Sequence, residues 1–308
     1  MSTRVAKSRV DLLEEITPDV ERLYNRHMEA PRLWYPHEQI NWGDGEDFKQ
    51  KAWAPEQYPI GDGVRSSIYV NLLTEDNLPY YTDSILAHSP RGHPIREWTC
   101  QWTMEENRHA MVMRDYLIVT RALDPVALER ARMAQMCAAV VPEPESVPDA
   151  LSYVALQELA TRISHRNTGK MLSDSVGTDV MARVAADENL HYLFYRDLVT
   201  ASLALDPSRT VCAIERQVRE FEMPGVGIID FAAHAKAIAQ AGIYDLVIHH
   251  EQIQVGVVLR HWKIDTIEGL DAEGEKARDA LVSYIERVGR VARRLSERRG
   301  DLVGAAAG

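Results

Sequence analysis

The sequence predicts an all-α protein. Apolar residues recur at three- and four-residue spacing through most of the chain, and no long stretch alternates apolar with polar residues. Two Glu-x-x-His motifs occur in such segments, and residues three apart share one face of a helix. With 308 residues, of which 45% are hydrophobic and 26% charged, the chain can bury a large core. We therefore expect a single domain that spans residues 1–308.

The two motifs are Glu106 with His109 and Glu188 with His191, and another glutamate, Glu75 or Glu158, lies about thirty residues before each. Thirty residues form a helix, a turn and part of a returning helix, which brings the motif back to the level of the first carboxylate. Four helices would then converge the ligands of a metal pair, as in the ferritin-like di-iron four-helix bundles. The alternative is that both short motifs are accidental matches on solvent-facing helices.

The remaining elements follow from helix periodicity and from breaks at proline and glycine. Residues of about 31–62 are rich in Pro, Gly and Trp and are expected to wrap over the bundle irregularly. Prolines at 142, 144 and 148 predict an extended loop. The repeated motif suggests two helix pairs related by a pseudo-two-fold axis. Helices are predicted over 10–30, 64–88, 94–121, 125–140, 151–172 and 178–205, with additional helices at about 208–222, 230–241, 243–262 and 274–299.

Charge and cysteine usage exclude several classes. A net charge of −11 argues against binding to nucleic acid or to anionic membranes, since both need a cationic face. With no signal peptide and no apolar run long enough to span a bilayer, we expect a soluble, cytoplasmic protein. Cys100, Cys137 and Cys212 are too widely spaced for a thiolate site and are expected to be buried free thiols.

One basic cluster stands out in this acidic chain. It lies near the C-terminus, where a charge run is most often a solvated helix end. The alternative is a docking surface for an acidic protein partner. Its members are Arg287, Arg290, Arg293, Arg294, Arg298 and Arg299.

The candidate ligands are carboxylates and imidazoles without cysteine, which favours iron or manganese over a structural zinc. Four carboxylates balance the charge of two divalent ions, so that a loaded site could be neutral and buried. We expect two iron ions per subunit, with dioxygen as co-substrate for hydrogen abstraction from unactivated C–H bonds. The predicted ligands are Glu75, Glu106, His109, Glu158, Glu188 and His191.

Several segments resemble the soluble acyl-acyl carrier protein desaturases, the stearoyl-type family, and are most similar to actinobacterial members. They are residues 74–79 (TEDNLP), 102–109 (WTMEENRH), 157–168 (QELATRISHRNT), 186–191 (ADENLH) and 260–265 (RHWKID). The resemblance extends from about residue 10 to about residue 290. It implies a homodimer that inserts a cis double bond into a fatty acyl chain on acyl carrier protein, with electrons from ferredoxin.

The resemblance also implies roles for three residues beside the ligands. Asp187 would hydrogen-bond a ligating histidine on the facing helix, Trp34 would belong to an electron route, and Thr161 would lie beside the oxygen site. Their structural alternatives are a surface carboxylate, a packing aromatic and a hydroxyl bonded to its own helix backbone.

Other functions remain open at this point. A related di-iron oxygenase that hydroxylates another carrier-bound substrate fits the same residues, because both reactions begin with hydrogen abstraction. The acyl chain length and double-bond position also stay open, since the segment between Glu75 and Trp102 is shorter than in the plant enzymes. A ribonucleotide reductase radical subunit is disfavoured because Met113 occupies the place of its radical tyrosine, and storage ferritins are about half this length.

Overall fold

The computed structural model describes residues 12–30, 33–57, 60–138, 141, 143–223, 225 and 227–306, the last nine by their backbone alone. The described part is helical and contains no strand, which confirms the predicted fold class. The α-helices are α1 (Thr17–Glu29), α2 (Asp62–Glu75), α3 (Leu78–Ala87), α4 (Pro94–Val119), α5 (Pro125–Ala138), α6 (Val147–Met171), α7 (Ser175–Leu205), α8 (Pro207–Arg219), α9 (Phe231–Gln240), α10 (Leu246–Ile248) and α11 (Ala272–Ala306).

The central bundle is formed by α2, α4, α6 and α7, which contact one another. The most extensive of these contacts is between α6 and α7. Around the bundle, α1 packs on α4 and α7, α3 packs on α4, and α9 packs on α2. Helix α8 lies between α6 and α11. In the described part of the chain, no helix combines the length and apolar character that crossing a membrane requires.

Side-chain caps fix where the bundle helices begin. The imidazole of His93 accepts a hydrogen bond from Ile95 N at the start of α4, and Asp174 accepts one from Gly177 N at the start of α7. Ser146 caps α6 in the same way. Such caps satisfy backbone N–H groups that have no partner within the helix. They therefore set the register at which each metal-binding motif faces the bundle.

The helix predicted over 64–88 is in fact two helices, because α2 ends at Glu75 and α3 begins at Leu78. The cause is Pro79, which has no N–H to bond the Glu75 carbonyl and whose ring would clash with it. The prediction of an extended loop was also wrong for Pro148, which lies in the first turn of α6. Proline is tolerated at that position because the N–H it lacks would be unpaired anyway.

The helix predicted over 243–262 is mainly a π-helix, His249–His261, which we call π1. Its ladder closes with Trp262 N donating to the Val257 carbonyl, five residues back, at 2.8 Å. Its buried residues, Ile253, Gln254, Val257 and Val258, recur at a spacing that does not distinguish the two helix types. The apolar pattern therefore predicted a helix but could not predict its ladder.

The segment after α1 contains short 3-10 helices at Pro36–Glu38, Trp42–Asp44 and Pro55–Gln57. Arg121, at the end of α4, holds part of this segment, because its guanidinium donates to the Lys51 carbonyl at 2.7 Å. The Trp53 indole donates in return to the Arg121 carbonyl at 2.9 Å.

The expectation of buried thiols was wrong for Cys100 and Cys137, which are exposed, whereas Cys212 is partly buried. Cys100 lies on the outward face of α4 with the exposed Met104. The face a cysteine occupies, rather than its residue type, decides its burial here.

Candidate metal centre

The central bundle brings all six predicted metal ligands together in its interior. Helix α2 ends on Glu75, α4 carries Glu106 and His109, α6 carries Glu158, and α7 carries Glu188 and His191. Each of these side chains belongs to a buried residue, with at most 8% of its surface exposed. Buried carboxylates are rare without a partner that offsets their charge, so this arrangement points to a metal site.

The ligands form two groups that share members. Glu75, Glu106, His109 and Glu188 make one group, and Glu106, Glu158, Glu188 and His191 make the other. Within each group, one ligand atom from every residue lies within 4.8 Å of the others. Glu106 and Glu188 belong to both groups and are therefore placed to bridge two neighbouring ions. We call the position beside Glu75 and His109 position 1 and that beside Glu158 and His191 position 2.

Both imidazoles turn Nδ1 toward the carboxylates. Nδ1 of His109 lies 2.9 Å from Glu106 Oε2 and 3.5 Å from Glu188 Oε1. Nδ1 of His191 lies 2.8 Å from Glu106 Oε1 and 3.7 Å from Glu158 Oε2. A metal-binding imidazole uses the unprotonated nitrogen and keeps its proton on the other one. Nδ1 is thus the candidate ligand atom in both residues.

The outer nitrogen of each imidazole faces a carboxylate from the other motif. Nε2 of His109 lies 3.4 Å from Asp187 on α7, and Nε2 of His191 lies 2.8 Å from Glu105 on α4. Each acid immediately precedes a ligating glutamate in the sequence. The two motifs therefore support each other's histidine reciprocally, and the contacts fix the orientation of both rings.

The donor set fits a pair of divalent ions. Glu158 Oε2 and His191 Nδ1 are buried and have no hydrogen-bond partner among the described residues. The short approach of His191 Nδ1 to Glu106 Oε1 thus brings the two atoms together without a hydrogen bond. Polar atoms left unsatisfied in an interior are costly, and coordination of a metal at position 2 would satisfy both. Oxygen and imidazole donors are those that iron and manganese use.

The pKa values of the ligands show how costly it is to bury these charged groups together. Burial, reinforced by repulsion from neighbouring carboxylates, raises the pKa of Glu75 and Glu158 well above the usual range. Burial also acts to raise the pKa of Glu188, but the neighbouring imidazoles of His109 and His165 outweigh it and lower that pKa well below normal. Although burial opposes their protonation, the acidic neighbours raise the pKa of His109 and His191.

Trp34 and Asp187 lie in line with His109. The indole Nε1 of Trp34 donates to Asp187 Oδ2 at 2.8 Å, and its ring is parallel to that of His109, with 6.5 Å between centroids. The guanidinium of Arg108 lies 5.0 Å from the centre of the Trp34 ring and 3.3 Å from Asp187 Oδ2. A continuous chain of contacts therefore runs from the segment after α1 to position 1.

Thr161 makes the contacts expected from both of its interpretations. Its hydroxyl lies 3.1 Å from Glu188 Oε2, a candidate bridging ligand, and also 3.1 Å from the backbone carbonyl of Glu158. A hydroxyl has one proton to donate, so these acceptors compete for it. The contact with Glu188 places this hydroxyl directly beside the metal centre.

Three buried residues at the site were not identified from the sequence: Glu105, His27 and His165. Glu105 could have been found, because Glu105-Glu106 matches Asp187-Glu188 in carrying an acid before the ligating glutamate. Nε2 of His165 lies 3.5 Å from Glu188 Oε1, and a single histidine in a helix gives no signal of such a contact. Nε2 of His27 lies 3.0 Å from Glu105 Oε2, a contact that only the packing of α1 creates.

Comparison with known proteins gives consistent matches. A sequence profile of the family described as fatty acid desaturase matches residues 8–305. The proposed acyl-[acyl-carrier-protein] desaturase DesA1 of Mycobacterium tuberculosis is 40% identical over 288 residues, which cover 90% of this chain and 85% of DesA1. The chloroplastic stearoyl-[acyl-carrier-protein] 9-desaturase of Ricinus communis is 28% identical, with coverage of 87% and 71%. The X-ray structure of DesA2 from Mycobacterium tuberculosis H37Rv superposes with a TM-score of 0.70 at 24% identity, with coverage of 87% of this chain and 99% of that one.

Proposed function

This chain belongs to the acyl-[acyl-carrier-protein] desaturase family of oxidoreductases, and we propose that it inserts a cis double bond into a fatty acyl chain carried on acyl carrier protein. The reaction would use dioxygen, two iron ions per subunit and electrons from ferredoxin. The observation that carries the proposal is the pair of buried ligand groups that share Glu106 and Glu188.

Two iron ions held there would supply reductive activation of dioxygen and abstraction of hydrogen from an unactivated methylene group. The protein's part is to hold the ligands in a water-poor interior. Trp102 contributes, because its indole donates to Glu158 Oε1 at 3.1 Å and leaves Oε2 directed at position 2. The charges of four carboxylates and two divalent ions would cancel, which permits burial of the loaded site.

Electrons and protons would enter through different residues. We assign the contacts from Trp34 through Asp187 to His109 as the electron route. The Trp34 indole donates to the carboxylate that supports His109, and so connects the overlying segment with position 1. We assign Thr161 as a proton donor beside the centre, because reduction of dioxygen to water consumes protons and the ligating carboxylates would be occupied by metal. Both assignments rest on the distances given above.

The partners follow from charge. An acidic carrier would dock on the C-terminal arginine patch, which we define as the exposed Arg287, Arg290, Arg293 and Arg294 of α11. The side chains of Arg298 and Arg299, which the sequence also suggested, lie outside the described residues. Exposed charge pairs contribute about 0.2–1 kcal/mol each and weaken with salt, so several arginines would act together. We further propose that the enzyme works as a homodimer.

Mass spectrometry of carrier-bound acyl chains tests the proposal. The purified protein is loaded with ferrous iron and incubated with a C18 acyl carrier protein, ferredoxin, reductant and dioxygen. Loss of two hydrogens from the acyl chain supports desaturation, whereas gain of one oxygen supports the alternative, a hydroxylase. The His109→Ala protein serves as the control, because it lacks a ligand of position 1. An unchanged acyl chain with several chain lengths would refute both functions.

A further inference from the structure

Asp187 and Glu105, the acids that precede the two ligating glutamates, are each contacted by a ring from the N-terminal part of the chain. The two rings are of different kinds. Asp187 accepts from the Trp34 indole at 2.8 Å, whereas Glu105 lies 3.0 Å from Nε2 of His27. Helix α1 and the segment after it therefore complete both halves of the centre. The ligands of the two motifs correspond pairwise, whereas the rings that contact Asp187 and Glu105 differ.

Glu105 connects His27 to a candidate ligand. Its Oε2 lies 2.8 Å from Nε2 of His191, and its Oε1 accepts from the Gln101 amide at 2.5 Å. An ionised carboxylate has no proton to donate and can only accept hydrogen bonds. The carboxylate is thus an acceptor for both imidazoles, and a proton on Nε2 of His191 leaves Nδ1 free for metal.

The position of His27 is fixed by packing. It is only 3% exposed and meets the Trp98 ring edge-on, at 4.8 Å between centroids. Its neighbour Arg26 ties α1 to α7 through Asp197 at 2.6 Å. Val20 and Leu23 of the same helix are fully buried. A side chain held so firmly gives Glu105 a fixed contact in addition to those of Gln101 and His191. It favours the present rotamer over one turned toward Arg108, 3.8 Å away.

We propose that His27 is a positioning residue for position 2, where it holds Glu105 so that Glu105 orients Nδ1 of His191 toward the metal. The inference rests on the metal-binding part of the proposed function. It predicts that His27 affects one metal position and leaves the other unchanged, which a purely structural role in the core would not do.

Titration of the metal-free protein with Co²⁺, monitored by its visible absorption, tests this inference without any acyl substrate. The wild-type protein should bind two ions per subunit. His27→Phe keeps a ring against Trp98 but removes the donor, and it should weaken one of the two sites about tenfold, with 10–100-fold expected for Glu105→Gln. His27→Gln, whose amide can donate to Glu105, should restore most of the lost affinity.

Double variants identify the affected position. His27→Phe should cause no further loss in a His191→Ala background but should weaken the remaining site in a His109→Ala background. Trp34→Phe is the mirror control, because it removes the donor to Asp187 and should show the opposite dependence. If His27→Phe binds Co²⁺ at both sites with wild-type affinity, or if neither His27→Phe nor His27→Leu folds, the imidazole of His27 serves only for packing. A wild-type protein that binds no Co²⁺ would instead refute the metal centre itself.

Discussion

Replacing Glu158 by glutamine should change stability in opposite directions with and without metal. Glu158 belongs only to the group at position 2, so the substitution would remove one ligand from one ion and spare Glu106 and Glu188, which both groups share. Glutamine has the same shape and can still accept from the Trp102 indole, as Glu158 Oε1 does at 3.1 Å. Without metal, it removes a buried carboxylate that its neighbours repel, and the metal-free variant should be at least as stable as the wild type.

The size of the metal effect follows from linkage. An ion present at one hundred times its dissociation constant stabilises the folded protein by about 2.7 kcal/mol. Two such ions would contribute about 5 kcal/mol, and a chain of this size gains about 2 °C in Tm per kcal/mol. The wild type should therefore gain about 10 °C on loading. Glu158→Gln should gain about half of that, because only position 1 keeps its full ligand set.

Thermal unfolding in chelator and in anaerobic ferrous iron measures both changes. Asp179→Asn is the matched control, since Asp179 is an exposed carboxylate of α7 and its loss alters net charge equally without touching a ligand. It should show the wild-type gain. A full wild-type gain in Glu158→Gln, or a clear loss of stability in chelator, would refute the role assigned to Glu158.

Three further predictions concern other parts of the molecule. Thr161→Val should retain two irons and consume oxygen, but it should form less product per oxygen and release hydrogen peroxide, because the hydroxyl beside Glu188 is gone. Product, peroxide and oxygen uptake are measured in the same reaction, and normal coupling would remove Thr161 from the mechanism. Changing three residues of the C-terminal arginine patch to glutamate should weaken carrier binding and make it less dependent on salt. Titration at several ionic strengths measures both effects, and an unchanged affinity would show that the patch is only a solvated helix end. Asp149→Asn should cost about 2–3 kcal/mol in the urea unfolding free energy at pH 7, because it breaks the contact with Arg216 at 2.9 Å. Burial acts to raise the pKa of Asp149, but the hydrogen bonds from Arg216 and Ser146 outweigh it, and the net effect is a lowered pKa. The difference in unfolding free energy between wild type and variant should therefore shrink as the pH falls below about 4. A difference that persists there would contradict the assignment.

The sequence predicted the fold class and the six candidate ligands that the bundle brings together, because both depend on helix periodicity. Glu106 and His109 share a face in any helix, and thirty-residue spacing returns the next motif to the same level. Contacts between distant segments carry no such periodicity. His27 reaches Glu105 across 78 positions of sequence, and only the packing of α1 on α4 and α7 creates the contact. The break after Glu75, in contrast, was readable from Pro79.

The reciprocal contacts explain why an acid precedes each ligating glutamate. Successive residues on a helix point about 100° apart, so Glu106 can face its own centre while Glu105 faces the histidine of the other motif. Asp187 and Glu188 do the same in return. The N-terminal region then gives the two halves different neighbours, an indole beside His109 and an imidazole behind His191. If Trp34 carries electrons and His27 only orients Glu105, as proposed above, two positions built from one repeated motif would differ in function. Electrons would enter at position 1, and position 2 would be held in a fixed geometry.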